Sequence, residues 1–134
     1  MEGLLKVTPN KKKSESMLKM AEITLEMTNT LDISKYSSNI AKDYYDIIRE
    51  LMGAILLLEG YKTIGEGAHK VIIEYFFKIN TLTKDEYIFL DNLRDIRNRI
   101  TYDGFFIEDS YIHRNKNKIE QIILKLKTEF KKKI

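Results

Sequence analysis

The stretch that decides the fold is Ser37–Gly60, SSNIAKDYYDIIRELMGAILLLEG, whose second half, Leu51–Leu58, is apolar on every side. A helix with no polar face must be covered from several directions, which places it at the centre of a fold or in a subunit interface. The apolar run is far shorter than a bilayer span. Gly60 follows it, and a residue without a Cβ suits the left-handed conformation that ends helices. The spacing therefore predicts a helix from about Ser37 to Glu59 around which the rest of the chain is arranged.

Working outward, Met17, Met20, Ala21, Thr24, Thr28 and Leu31 return at three- and four-residue steps and predict a first helix from Ser14 to about Leu31. Before it, Pro9 and the run Lys11-Lys12-Lys13 mark residues 1–13 as a flexible basic arm. On the other side, His69, Ile72, Ile73 and Phe76 share one face of a helix expected from about Gly65 to Asn80. Gly65 and Gly67 would allow close packing there. Thr83-Lys84-Asp85-Glu86 has the form of a capping box, so a fourth helix should start there, continue through Phe89, Leu93, Ile96 and Ile100, and stop before Gly104. Ile119, Ile122, Ile123, Leu126 and Phe130 form the apolar face of a fifth helix, with lysines outside. No strand-like alternation persists and no repeat is visible. The expected fold is all-α, a four- to five-helix up-and-down bundle forming a single domain over 14–134.

A chain of 134 residues with 43% hydrophobic content can bury one core and no second one. It has no cysteine, which excludes disulfides and thiolate zinc sites. The N-terminus lacks the ordered regions of a signal peptide, so a cytoplasmic protein without membrane association is expected. A formal net charge of +3 favours an anionic partner only if it is concentrated on one face. The lysines at 11–13 and 131–133 would attract phosphate without specificity, although basic ends are more often solvated tails. No glycine-rich phosphate loop is present, since Gly65-Glu66-Gly67 lacks the longer pattern.

One polar cluster has the look of a site: LRDIRNRITYDG, Leu93–Gly104. At about 100° per residue, Arg97 falls at the edge of the fourth helix's apolar stripe, beside Arg94 and Thr101, with Asn98 further round. A guanidinium there needs an anionic or carbonyl partner. Tyr102 lies well round a regular helix from Arg97, and unwinding near Gly104 would be needed to join them.

Arg97-Asn98, a polar residue five positions after the arginine, the aliphatic run before them and the long central helix together resemble a HEPN domain (higher eukaryotes and prokaryotes nucleotide-binding). The segments AKDYYDIIRELMGAILLLEGY (41–61) and GEGAHKVIIEYF (65–76) are similar to the second and third helices of its archaeal and bacterial members. The resemblance covers the chain from about Ser37 onward. It implies a homodimer in which the motif residues of both subunits face a shared cleft, RNA or a nucleotide as ligand, and in many members metal-independent ribonuclease activity. It also implies a toxin and antitoxin setting in which a nucleotidyltransferase is the partner protein. Carried over residue by residue, Arg97, Asn98 and Tyr102 take the catalytic positions, and Arg94 and Thr101, which lie beside Arg97 on the helix, are the candidate substrate-binding residues. No cofactor and no metal are expected.

The chain departs from the family at one place, where Tyr102 stands at the position of the usual histidine. RNA transesterification needs a group to take the 2′-hydroxyl proton and another to protonate the leaving oxygen, and imidazole does both near neutral pH. A phenol, ordinarily with a pKa of about 10, is a poor base there. It can stack on a base or donate a proton, while Arg97 can hold a phosphate bidentately.

Each candidate also has a plainer reading. Arg97 can pair with a carboxylate of the second helix, where Asp43, Asp46 and Glu50 recur at helical spacing. Those acids are also conceivable metal ligands, but carboxylates on an amphipathic helix are usually solvated. His69, on an apolar face, reads as a packing residue. His113 lies in a polar setting near the start of the fifth helix, and Tyr102 and Tyr111 are the expected exposed aromatics. Two functions from different classes follow: an RNA-acting HEPN-like dimer, and a non-enzymatic helical dimerisation module, joined through the second or fourth helix, in which Arg97 is a structural ion-pair partner.

Overall fold

The computed structural model describes residues 2–65 and 67–134. In chain order it contains β1 (Leu4–Lys6), α1 (Lys11–Thr28), α2 (Ile33–Glu59), β2 (Tyr61–Thr63), α3 (Ala68–Lys78), α4 (Lys84–Asp103) and α5 (Asp109–Lys133). The apolar segment of α2 is the centre of this helical bundle: Leu51, Met52, Ala54, Ile55 and Leu56 are buried, and Leu57 and Leu58 half-buried. Helices α1 and α5 pack most extensively against α2, α4 packs next, and α3 lies chiefly on α4. Each aliphatic side chain buried in this way contributes about 1.5–3 kcal/mol of transfer free energy. Since none of the exposed large apolar side chains among the described residues lies on α2, its apolar face is spent inside the chain. Dimerisation through the second helix is corrected on that ground.

Helix α2 starts earlier than its periodicity suggests. Asp32 caps it by accepting from the Ser34 N–H at 3.1 Å, and Tyr36 breaks the helical path at φ −111°, ψ 21°, which is why regular spacing is visible only from Ser37. The next residues clamp the far loop. Ser37 donates to the Ile107 carbonyl at 2.8 Å, and the Ile107 N–H donates to Ser38 Oγ at 2.9 Å, tying the α4–α5 connection to α2. Gly60 ends the helix at φ 83°, as expected, and a Cβ there would meet the Val7 carbonyl oxygen at 2.9 Å.

That approach brings the N-terminal segment against the end of α2. Residues 1–13 are not a free arm in their described part, because β1 pairs antiparallel with β2, with Leu4 opposite Thr63 and Lys6 opposite Tyr61, and the Val7 N–H donates to Gly60 O at 2.8 Å. Lys11, Lys12 and Lys13 form the first turn of α1, with Asn10 Oδ1 accepting from the Lys13 N–H at 3.0 Å. Cations at a helix N-terminus oppose the helix dipole, so the lysine run gave no start signal; the asparagine cap supplies it. The three-residue strands are too short to show alternation, so the all-α expectation holds for the bundle and misses this two-stranded ribbon.

Helix α4 begins at the expected capping box: the Glu86 N–H donates to Thr83 Oγ1 at 3.1 Å, and the Thr83 N–H to Glu86 Oε1 at 2.9 Å. It ends at Gly104, in the left-handed region at φ 63°. Helix α5 buries the face its sequence predicts, and its C-terminal lysines lie within the helix rather than in a tail, with Lys133 Nζ 3.3 Å from Glu59 Oε1. No helix among the described residues is long and apolar enough to cross a membrane.

Candidate functional site

Helix α4 packs against both α2 and α3, and the face it turns to them runs Leu90, Leu93, Arg97 at steps of three and four. The stripe expected from sequence was Phe89, Leu93, Ile96 and Ile100; of these only Leu93 is buried and the others are half-buried. Arg97 is therefore within the inward line rather than at its edge, with its side chain only 14% exposed. A guanidinium in that position needs an anion, and Asp46 on α2 provides it: Arg97 Nε lies 3.2 Å from Asp46 Oδ1. The N–H does not point along that line, so both buried atoms form an ion pair without a hydrogen bond. At its outer end Arg97 Nη1 donates a long bond, 3.4 Å, to Asn98 Oδ1.

An open groove of about 300 Å³ adjoins Arg97, and its walls include Arg94, Arg97, Asn98 and Tyr102 from α4 with His69 and Lys70 from α3. Four of the five expected site residues thus come together; Thr101 is exposed and does not line the groove. No unwinding is needed to bring Tyr102 there. Helix α4 stays regular through Asp103, and Tyr102 reaches the groove as the outward neighbour of Asn98, four residues earlier on the same face. It is 75% exposed. Tyr111, expected to be exposed as well, is half-buried against the core.

The residues that sequence reasoning missed come from α2 and α3. His69 sits one turn before the buried Ile72, Ile73 and Phe76 on the same face of α3, and that face ends over Tyr45, Asp46 and Arg49 of α2. The rings of Tyr45 and His69 lie 5.9 Å apart, inclined by 41°. Burial, and then the nearby Arg49 and Arg97 guanidinium groups, hold the His69 imidazole below its ordinary pKa, against a smaller opposite pull from Asp46. Burial likewise pushes Tyr45 up to about 12, so this phenol stays protonated, and its hydroxyl finds no hydrogen-bond partner among the described residues. The apolar face of α3 was visible in sequence. That it runs out over a cluster of charge was not.

Among the described residues the groove's lining carries three cations, Lys70, Arg94 and Arg97, of which Arg97 is paired with Asp46 and Arg94 with Asp91 at 3.0 Å. The excess is positive, which suits an anion the size of a phosphodiester, with a neutral imidazole, an amide and a phenol beside it. The other candidates are placed elsewhere. His113 is exposed on α5 and does not line the groove. Asp43 accepts from Thr28 Oγ1 at 3.0 Å, and among the described residues no group of three His, Asp or Glu side chains is placed to hold a metal ion.

No family model matches the chain, and neither the curated proteins nor the solved structures contain a significant match.

Proposed function

We propose that this chain is a HEPN-like helical domain that binds RNA or a nucleotide through the Arg94–Arg97–Asn98–Tyr102 groove and, as a homodimer, cleaves RNA without a metal ion. The observation that carries the reading is the meeting of those four residues with His69 and Lys70 in one open groove whose described charged lining residues are all cations. Arg97, paired through Nε with Asp46, lines the groove, and its guanidinium suits the equatorial oxygens of a phosphodiester. Tyr102 and Phe106, 75% and 82% exposed beside the end of α4, form the face a second copy would cover in bringing two grooves into one cleft. A nucleotidyltransferase encoded beside this chain would fit the toxin and antitoxin setting.

A second reading has its own support in the Arg97–Asp46 pair: a non-enzymatic interaction module in which that ion pair only joins α4 to α2. Incubating the protein with labelled RNA in EDTA, beside a folded Arg97→Ala variant and with the oligomeric state of each recorded, decides between them. Cleavage or binding by the wild-type protein and its loss in the variant is the expected result. A variant that only loses stability, with no RNA phenotype in either protein, favours the interaction module.

A further inference from the structure

We propose that His69 is the group that accepts the 2′-hydroxyl proton in the groove, an assignment that rests on the ribonuclease reading above. The chain contains two histidines. His113 is exposed on α5, away from the groove's lining, whereas His69 shares that lining with Arg97, Asn98 and Tyr102. His69 is delivered by α3 and not by the arginine helix, so no spacing along α4 could reveal it.

The surroundings of His69 suit a proton acceptor. Tyr45, Asp46 and Arg49 face it from α2, Arg94 and Arg97 from α4, and Lys70 follows it on α3. Partial burial, and then the cations, lower the imidazole's pKa from its ordinary value and so favour the neutral form, the one with a lone pair to offer. The Tyr45 ring flanks it at 5.9 Å between centroids. His69 also lines a second cavity, of about 180 Å³, whose charged lining is Lys13, Arg49, Lys62 and the carboxylate Glu50, so the imidazole is reached from more than the groove side.

The step balances with groups present and water. The 2′-oxygen attacks phosphorus as its proton passes to a ring nitrogen of His69, and the P–O5′ bond breaks with its electron pair on the 5′-oxygen. That oxygen takes a proton from water, and the imidazolium returns its proton to the hydroxide so formed. The products are a 2′,3′-cyclic phosphate and a 5′-hydroxyl end. Arg97 would hold the phosphoryl oxygens as charge builds on them.

The test uses the full chain with two probes in EDTA: an RNA oligonucleotide for cleavage and its uncleavable 2′-O-methyl counterpart for binding. Wild type, His69→Gln, Arg97→Ala and His113→Gln are compared across pH 5–8. The expected result is that His69→Gln binds the 2′-O-methyl probe within about threefold of wild type but cleaves RNA at least about 100-fold more slowly. Wild-type cleavage should fall below an apparent pKa under 6.5, and His113→Gln should match wild type. Proton NMR of the two histidines in the wild type gives a readout independent of any variant's folding, with the His69 titration moving upward when the 2′-O-methyl probe binds. Cleavage by His69→Gln at the wild-type rate, with the same acid limb, overturns the assignment and leaves the ribonuclease reading standing. Arg97-dependent binding without wild-type cleavage overturns it while sparing the binding part of that reading. Absence of both binding and cleavage overturns both.

Discussion

Helices α4 and α5, of 20 and 25 residues, both carry a helical hydrophobic period, yet only in α5 does that period coincide with the buried face. In α5 all five expected positions, Ile119, Ile122, Ile123, Leu126 and Phe130, are at most 3% exposed. In α4 the inward line is Leu90, Leu93 and Arg97, and Ile88 is 50% exposed. Helix α5 meets α2 with one apolar face, and its lysines border that face, with Lys125 2.6 Å from Glu86, Lys127 3.0 Å from Glu22 and Lys133 3.3 Å from Glu59, so its period reports a single buried environment. Helix α4 meets α2 and α3 at once and also walls a groove, so its apolar residues spread round it and a cation occupies one inward position. Where the hydrophobic period and the buried line disagree, the chain has a charge that the core must accommodate, and here that charge marks the candidate site.

The largest effect expected from this comparison is in the cores of the two helices. Phe130→Ala should cost about 3–5 kcal/mol and Leu90→Ala about 2–5 kcal/mol in urea unfolding, because both leave cavities at fully buried positions. Ile96→Ala should stay within about 0.5 kcal/mol of wild type, since Ile96 is half-buried and alanine is the better helix former. If Ile96→Ala proved as costly as Leu90→Ala, the inward face of α4 would lie where its hydrophobic period puts it, and the contrast with α5 would vanish.

What could be read from sequence follows the same division. The apolar run of α2, Gly60 as its stop, the Thr83–Glu86 box and the face of α5 are local signals, each fixed by residues within a turn or two, and each has its expected place in the structure. The β1–β2 ribbon joins residues nearly sixty positions apart, and its three-residue strands carry no period of their own. Arg97 and Tyr102 could be found as a motif, but the inward position of Arg97 depends on how α4 is rotated against two neighbours. His69 was legible only as a member of an apolar face. Its chemistry comes from Arg49, Arg97 and Tyr45, which reach it from another two helices.

A smaller effect tests the ion pair that separates α4 from α5. In a double-mutant cycle with Arg97→Met and Asp46→Asn, the coupling measured by unfolding should be about 1 kcal/mol, because the pair is only partly buried and not aligned as a hydrogen bond. Arg97→Met alone should cost more stability than the double variant, having left Asp46 beside an apolar side chain. Zero coupling would mean that Asp46 does not hold Arg97 and that the guanidinium is free to turn fully towards a ligand.

The smallest effect lies in how stability depends on pH. His69 has a folded pKa below its unfolded value of about 6.5, so between those two values the unfolded chain binds the proton more tightly and stability rises with pH. Its contribution is complete above about pH 6.5 and is lost as pH falls through the folded value. Asp43 has the opposite sign: burial raises its pKa against the Thr28 hydrogen bond, so the stability linked to it declines as pH rises through the carboxylate range. The two windows are centred on different groups, and comparison of wild type with His69→Gln between pH 7.5 and 5.5 isolates the first. The urea midpoint of wild type should fall further over that interval than that of the variant. Parallel curves would show that His69 is no more desolvated than an ordinary surface histidine, and the polar groove would then differ from the α5 face in charge but not in burial.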